Sequence, residues 1–297
     1  MKNEIKEIRL DMLVNHNSPY AIFEEVKNNF IHHYPVKEFI PLRAIFNDLI
    51  DLMEGRYSGY QRCASRFHDL QHISETLLAF SRLIDGYNIK NPSKKFSLKK
   101  VKLALIAIIF HDVGYLKKIE DEKKFTTKYD VSTQIERSIE FLSKYMEERG
   151  FSYYEIETAK NILKTSGADT ELSEIEFKDG EEKLLGMMLA TSDYLAQMSS
   201  RPYLEKLIYL YFEFEEGGKE KSGTEFNLLK KTLEFYKVIN DLFEKEYDGV
   251  YKFAKYHFQK RYGIDENLYI KTIERTIKYL EAIKSYKEVK KKLRRRI

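Results

Sequence analysis

The sequence is poor in residues that staple or punctuate a chain. Its 297 residues hold one cysteine, Cys63, five prolines, thirteen glycines and no tryptophan. A lone cysteine excludes any intramolecular disulfide, and the compartment expected from it is a reducing one, the cytoplasm. With so little proline and glycine, and no alternating apolar segments joined by hairpin turns, the pattern of a β-sandwich or barrel is excluded. Long apolar runs are missing too. The longest without charge is "LALIAIIF" at 103–110, far below the ~20 residues of a membrane helix. The first residues, "MKNEIKEIRLDML", carry acids throughout and lack the apolar centre of a signal peptide.

An excess of one charge sign is likewise absent. The 51 basic and 47 acidic residues leave a formal charge of +4, which provides no overall field for nucleic acid. Only the tail "KEVKKKLRRRI" is concentrated in charge. Its cations suit the negative end of a helix dipole, and contact with RNA or an anionic membrane is the alternative.

What the chain has in quantity is helical periodicity. Hydrophobic residues make up 43% and charged residues 33%, enough for a core. Apolar residues recur at spacings of three and four, as in Ile270, Ile273, Ile277, Leu280 and Ile283. Gly263 closes the helix before that segment, and Asp265 is its candidate cap. The expected fold class is all-α, with helices over about 18–34, 37–54, 57–86, 97–112, 128–149, 153–165, 180–199, 201–216, 222–246, 249–261 and 265–295. The 22 tyrosines and 19 phenylalanines read as core and helix contacts.

Seven histidines are present, and two stand four apart in "SRFHDLQHISETL". On a helix, His68 and His72 share one face, a turn apart. His111 and Asp112 follow the most apolar segment of the chain, and Asp193 interrupts the apolar stretch "LATSDYLAQM". A buried imidazole or carboxylate must be satisfied by something, and a mixed imidazole and carboxylate set suits a divalent transition metal. His32, His33 and His257 read as structural. Cys63, five residues before His68, falls about 140° from it on a helix and is expected to point away.

"HDLQH", "HD" at 111–112 and "TSD", in that order, resemble the HD-domain metal-dependent phosphohydrolases. More narrowly, His68 and His72 resemble the H-N-x-x-H element of class I cyclic nucleotide phosphodiesterases, with Asp69 in place of Asn. The resemblance covers about 57–200 and implies a helical bundle. By residue, it implies His72, His111, Asp112 and Asp193 as ligands of a first ion (Fe, Mn, Zn or Ni). Asp112 would bridge to a second divalent ion, such as Mg or Mn, and His68 would be the general acid. No histidine occurs between His111 and His257, so Glu136 is the candidate for the second ion's shell.

Arg66, Gln197 and Lys164 are candidate substrate contacts, whereas Arg201 and Tyr203 beside Pro202 read as ordinary helix-start punctuation. The expected organisation is N-terminal helices over 1–56, an HD-type core over 57–200 and a C-terminal helical region over 201–297. The expected function is hydrolysis of a small-molecule phosphoester, most simply a cyclic or other nucleotide phosphodiester, without a membrane partner. Two alternatives stand beside it: a phosphomonoesterase of the same superfamily, and a non-catalytic helical protein that holds metal for structure.

Overall fold

A computed structural model describes residues 8–120, 133–167, 170–207, 209 and 225–282. The basic tail and half of the helix expected over 201–216 lie outside the described residues. The described chain is helical, with no strand among the described residues beyond one isolated bridge between Tyr60 and Lys118. The α-helices are α1 (Pro19–Ile31), α2 (Ile40–Met53), α3 (Leu70–Lys90), α4 (Leu98–Ile109), α5 (Gln134–Glu148), α6 (Tyr153–Lys164), α7 (Gly180–Ser199), α8 (Glu225–Lys245), α9 (Phe253–Tyr262) and α10 (Leu268–Glu281). None of the described helices is long and apolar enough to cross a membrane.

Helix α3 is central because it is apolar on more than one face. Leu77, Leu78, Phe80 and Leu83 are at most 1% exposed, and each such side chain contributes roughly 1.5–3 kcal/mol when removed from water. Helix α3 packs against α1, α7 and α9, while α4 packs against α2, α3, α6 and α7. Gly86 permits the α9 contact: a Cβ there would lie 1.9 Å from the Phe253 carbonyl oxygen. One apolar cluster runs from Leu10 to Leu280, so helices from both ends of the chain complete the same core as residues 57–200.

The structure corrects the helix expected over 57–86, which begins only at Leu70. Residues 57–69 pair instead with the chain that follows α4: the Gln61 amide donates to the Lys117 carbonyl and the Ile119 amide to the Gly59 carbonyl, both at 2.9 Å. Gly59 adopts a φ of 85°, a conformation that closes this turn and breaks a helix. Similarly, α4 stops at Ile109, leaving His111 and Asp112 beyond its end. The cap of α10 is Asn267, whose side chain accepts from the Tyr269 and Ile270 amides, in place of Asp265.

Candidate metal centre

Local rules place each of the four ligand candidates. Asp69 caps α3, its carboxylate accepting from the His72 amide at 2.8 Å, and Lys206 Nζ holds the same carboxylate at 2.9 and 3.0 Å. An Asn at 69 would provide an equivalent cap. The cap fixes His72 in the first turn of α3, where its ring points inward and is buried. At the other end of the site, α4 leaves its last carbonyls without helical partners. His111 Nδ1 donates to one of them, the Ile108 oxygen, at 2.7 Å. That bond leaves Nε2 facing the site, as in histidines that bind metal through one nitrogen while the other is anchored to a carbonyl. Asp193 comes from α7, which packs across α3.

The four side chains converge. His72 Nε2 lies 3.2 Å from Asp112 Oδ2 and 3.1 Å from Asp193 Oδ1. His111 Nε2 lies 3.3 Å from Asp112 Oδ2 and 4.0 Å from Asp193 Oδ1. Metal bonds of about 2.0–2.2 Å place neighbouring donor atoms about 3.0–3.5 Å apart, so three of these separations match edges of one coordination shell. His111 Nε2, Asp112 Oδ2 and Asp193 Oδ1 are all buried without a hydrogen-bond partner. Three orphaned polar atoms facing one point are costly unless a cation joins them, and the donor set fits a transition metal.

The electrostatics agree. Burial disfavours charge on His72, but its bonds and attraction to Asp112 and Asp193 outweigh that and push its pKa up to about 10. Burial opposes charge on His111 too, and Asp112 again prevails and raises its pKa. Burial would raise the Asp112 carboxyl, yet the imidazoles of His111 and His72 hold it well below the usual carboxylate range. The buried Asp112 carboxylate thus demands positive charge beside it, which protonated imidazoles supply here and a metal ion could supply in their place.

His68 lies outside the helix, in the turn before it. Ser65 Oγ accepts from the Phe67 and His68 amides at 3.2 and 2.7 Å, and the His68 ring stacks on Tyr115 at 3.8 Å and 10°. The centroids of His68 and His72 are still 5.8 Å apart, so the two meet as neighbours across a turn and not as successive turns of one face. The helical argument about Cys63 falls with the helix: its Sγ approaches the His68 carbonyl at 3.5 Å.

Gln197 joins His72 in lining a narrow cavity at the mouth of the cluster, with Phe67, Glu75, Ser200 and Lys206. Arg66 is exposed, with its guanidinium over the Tyr209 ring, and lines the wider cleft outside. Lys164 ends α6 with Nζ against Asn161 and lines neither space. Glu136 is exposed on the first turn of α5 and does not reach the cluster.

The residue of α5 that does reach it is Gln134, whose Nε2 donates to the His111 carbonyl at 3.0 Å and to Asp112 Oδ1 at 3.4 Å. Its signal was available: Gln134, Ser138, Phe141, Leu142 and Tyr145 form the buried face of α5. Gly114 allows the approach, since a Cβ there would lie 1.9 Å from the Gln134 carbonyl oxygen.

A second histidine cluster surrounds Asp85. His32 Nδ1 and His33 Nε2 contact its Oδ1 at 2.8 and 2.7 Å, and His257 Nδ1 contacts its Oδ2 at 2.7 Å. These are hydrogen-bond lengths, shorter than coordination-shell edges. Metal binding would also put protons on His33 Nδ1 and His257 Nε2, both buried without acceptors. The cluster is a hydrogen-bonded tie between α1, α3 and α9, in keeping with the structural role expected for these histidines.

Comparison of the chain with protein-family models, curated proteins and solved structures finds no match in any of the three.

Proposed function

We propose that the chain is a cytoplasmic, metal-dependent phosphohydrolase of HD-domain type that cleaves a nucleotide-like phosphoester. The reading rests on one observation, the convergence of His72, His111, Asp112 and Asp193 on a single buried point at which three donor atoms have no hydrogen-bond partner. A divalent ion held there supplies a bound water acidic enough to react near neutral pH. Asp112 and His111 are held in register by Gln134 and the Ile108 carbonyl, so the ligands are oriented before the ion arrives.

His68 is the proton donor in this reading. An imidazole beside the cluster can protonate the leaving oxygen as the ester bond breaks, and its stacking on Tyr115 restricts the ring to one orientation. Lys206, fixed by Asp69 at the cavity mouth, provides positive charge for the phosphate. Glu136 is exposed and outside the cluster, so the reading is built on the first ion alone.

Elemental analysis of the purified chain, coupled to turnover of a nitrophenyl phosphodiester with and without added Mn, Fe, Zn or Ni, tests the proposal. The expected result is near-stoichiometric metal and metal-dependent release of nitrophenol. Less than about a tenth of an equivalent of metal, with no uptake on addition, overturns it.

A further inference from the structure

Chemistry beyond the scissile group is written into the chain between α7 and residue 209. The chain leaves α7 at Ser199, turns at 200–202 and resumes a helical course at 203–207. Ser200 and Lys206 line both the narrow cavity at His72 and a larger cleft of about 890 Å³, so the two spaces are neighbours with a shared wall. That volume falls in the range of small-molecule sites. Among the described residues the cleft is lined by five basic side chains, Arg9, Arg66, Arg201, Lys206 and Arg275, against two acids, Asp11 and Glu205; Arg9 pairs with Asp11 and Lys206 with Asp69, which leaves Arg66, Arg201 and Arg275 as the excess over Glu205. In a chain that is nearly neutral overall, such a local excess focuses positive potential on the cleft.

A second observation comes from its inner end. The hydroxyls of Ser200 and Tyr203 are buried without a hydrogen-bond partner, and both residues line the cavity beside His72. Tyr203 is only 2% exposed, and burial pushes its hydroxyl well above its usual range, so it is a neutral donor. Buried hydroxyls lacking a partner are uncommon, and the cavity beside them, about 10 Å³ in volume, has room for one polar ligand atom reaching in from the cleft.

We propose that the cleft binds a second anionic group of the substrate, so that the substrate is a small molecule carrying two separate phosphates, one meeting the metal centre and the other held by Arg201 and Arg275. This deepens the phosphohydrolase reading and rests on it for the identity of the first phosphate. Arg66 contributes a further cation over Tyr209, suited to a planar or anionic portion between the two phosphates.

Calorimetric titration of the metal-loaded full chain with adenosine 3′,5′-bisphosphate and adenosine 5′-monophosphate tests it, with phosphate release assayed afterwards to verify ligand integrity. The bisphosphate should bind at least about tenfold tighter, the scale of one added charge-assisted contact. The double substitution Arg201→Glu, Arg275→Glu should weaken the bisphosphate by more than about thirtyfold and the monophosphate by less than about threefold. Lys94→Glu, exposed on a distant turn, should alter neither, and thermal melting should show all variants folded. Equal affinity for the two ligands, or equal weakening of both by charge reversal, overturns the cleft proposal. Tighter binding of a short oligonucleotide than of the bisphosphate also overturns it, in favour of nucleic acid. Failure of nitrophenyl phosphodiester turnover with the bisphosphate preference intact strikes the hydrolase reading alone.

Discussion

His72 Nε2 stands 3.1 Å from Asp193 Oδ1, a contact that joins the first turn of α3 to the latter half of α7 across 121 positions of sequence. Neither atom belongs to a helix-local interaction, and the pair is held by packing of the two helices. The ion proposed between them would tie the same helices together and so couple metal content to stability.

His72→Ala is therefore expected to lower metal content and turnover in parallel. Loss of one of four donors weakens the ion by more than the ~10–100-fold typical of a second-shell change, and the melting temperature should lose its metal dependence. Full metal retention in this variant, measured by elemental analysis after dialysis, would remove His72 from the shell.

His68→Ala should instead keep the metal and slow turnover by about 10²–10⁴-fold, the range for a lost general acid. The loss should be smaller for a nitrophenyl leaving group, which needs little protonation. If His68→Ala loses metal to the same extent as His72→Ala, then His68 is a ligand and the donor role is wrong.

Gln134 and Glu136 provide a contrast within one helical turn. Gln134→Ala removes the amide that donates to Asp112 Oδ1 and to the His111 carbonyl, and it is expected to weaken metal binding about 10–100-fold. Glu136→Ala, at an exposed position, should change it less than about twofold. Metal titration by competition with a coloured chelator measures both.

The Asp85 cluster predicts acid sensitivity. Burial would raise the Asp85 carboxyl, but His257, His33 and His32 outweigh it and hold it far below the usual range. Its contribution is thus complete above about pH 4 and is lost as the pH falls further. His257 is depressed chiefly by burial, aided by the charge of Arg82, against the pull of Asp85 and Glu25. It stays neutral while the unfolded chain takes up a proton below about pH 6.5, so stability also declines there on acidification. In metal-free protein the opposite sign comes from His72, whose contribution is full below about pH 6.5 and fades as the pH rises through its folded value of about 10.

Denaturant unfolding of metal-loaded protein should accordingly show less stability at about pH 5 than at about pH 7.5. Asp85→Asn should cost about 3 kcal/mol at the higher pH, since it removes one partner from a buried charged cluster. Unchanged stability in that variant would show that the three imidazoles gain nothing from the carboxylate.

The sequence by itself determined the class of fold and singled out four candidate ligand residues. Periodicity of three and four, with little proline or glycine, is a local property, and it sufficed for α6 and α7 because each helix carries its own apolar face and a capping side chain, Ser152 and Asp179. His72, His111, Asp112 and Asp193 stood out because polar ligands amid apolar residues require partners wherever the chain places them. Tertiary structure alone decided how His68 meets His72, since residues 57–69 give up a helix to pair with 117–119, more than fifty positions away. It also decided that Gln134 and not Glu136 reaches the candidate metal centre, and that Arg201 and Tyr203, which read as mere helix punctuation, line the spaces beside it together with Ser200. Periodicity reports which face of a helix is apolar. Which faces meet, and what the intervening turns present to the space between them, depends on long-range packing and hydrogen bonds that no local window contains.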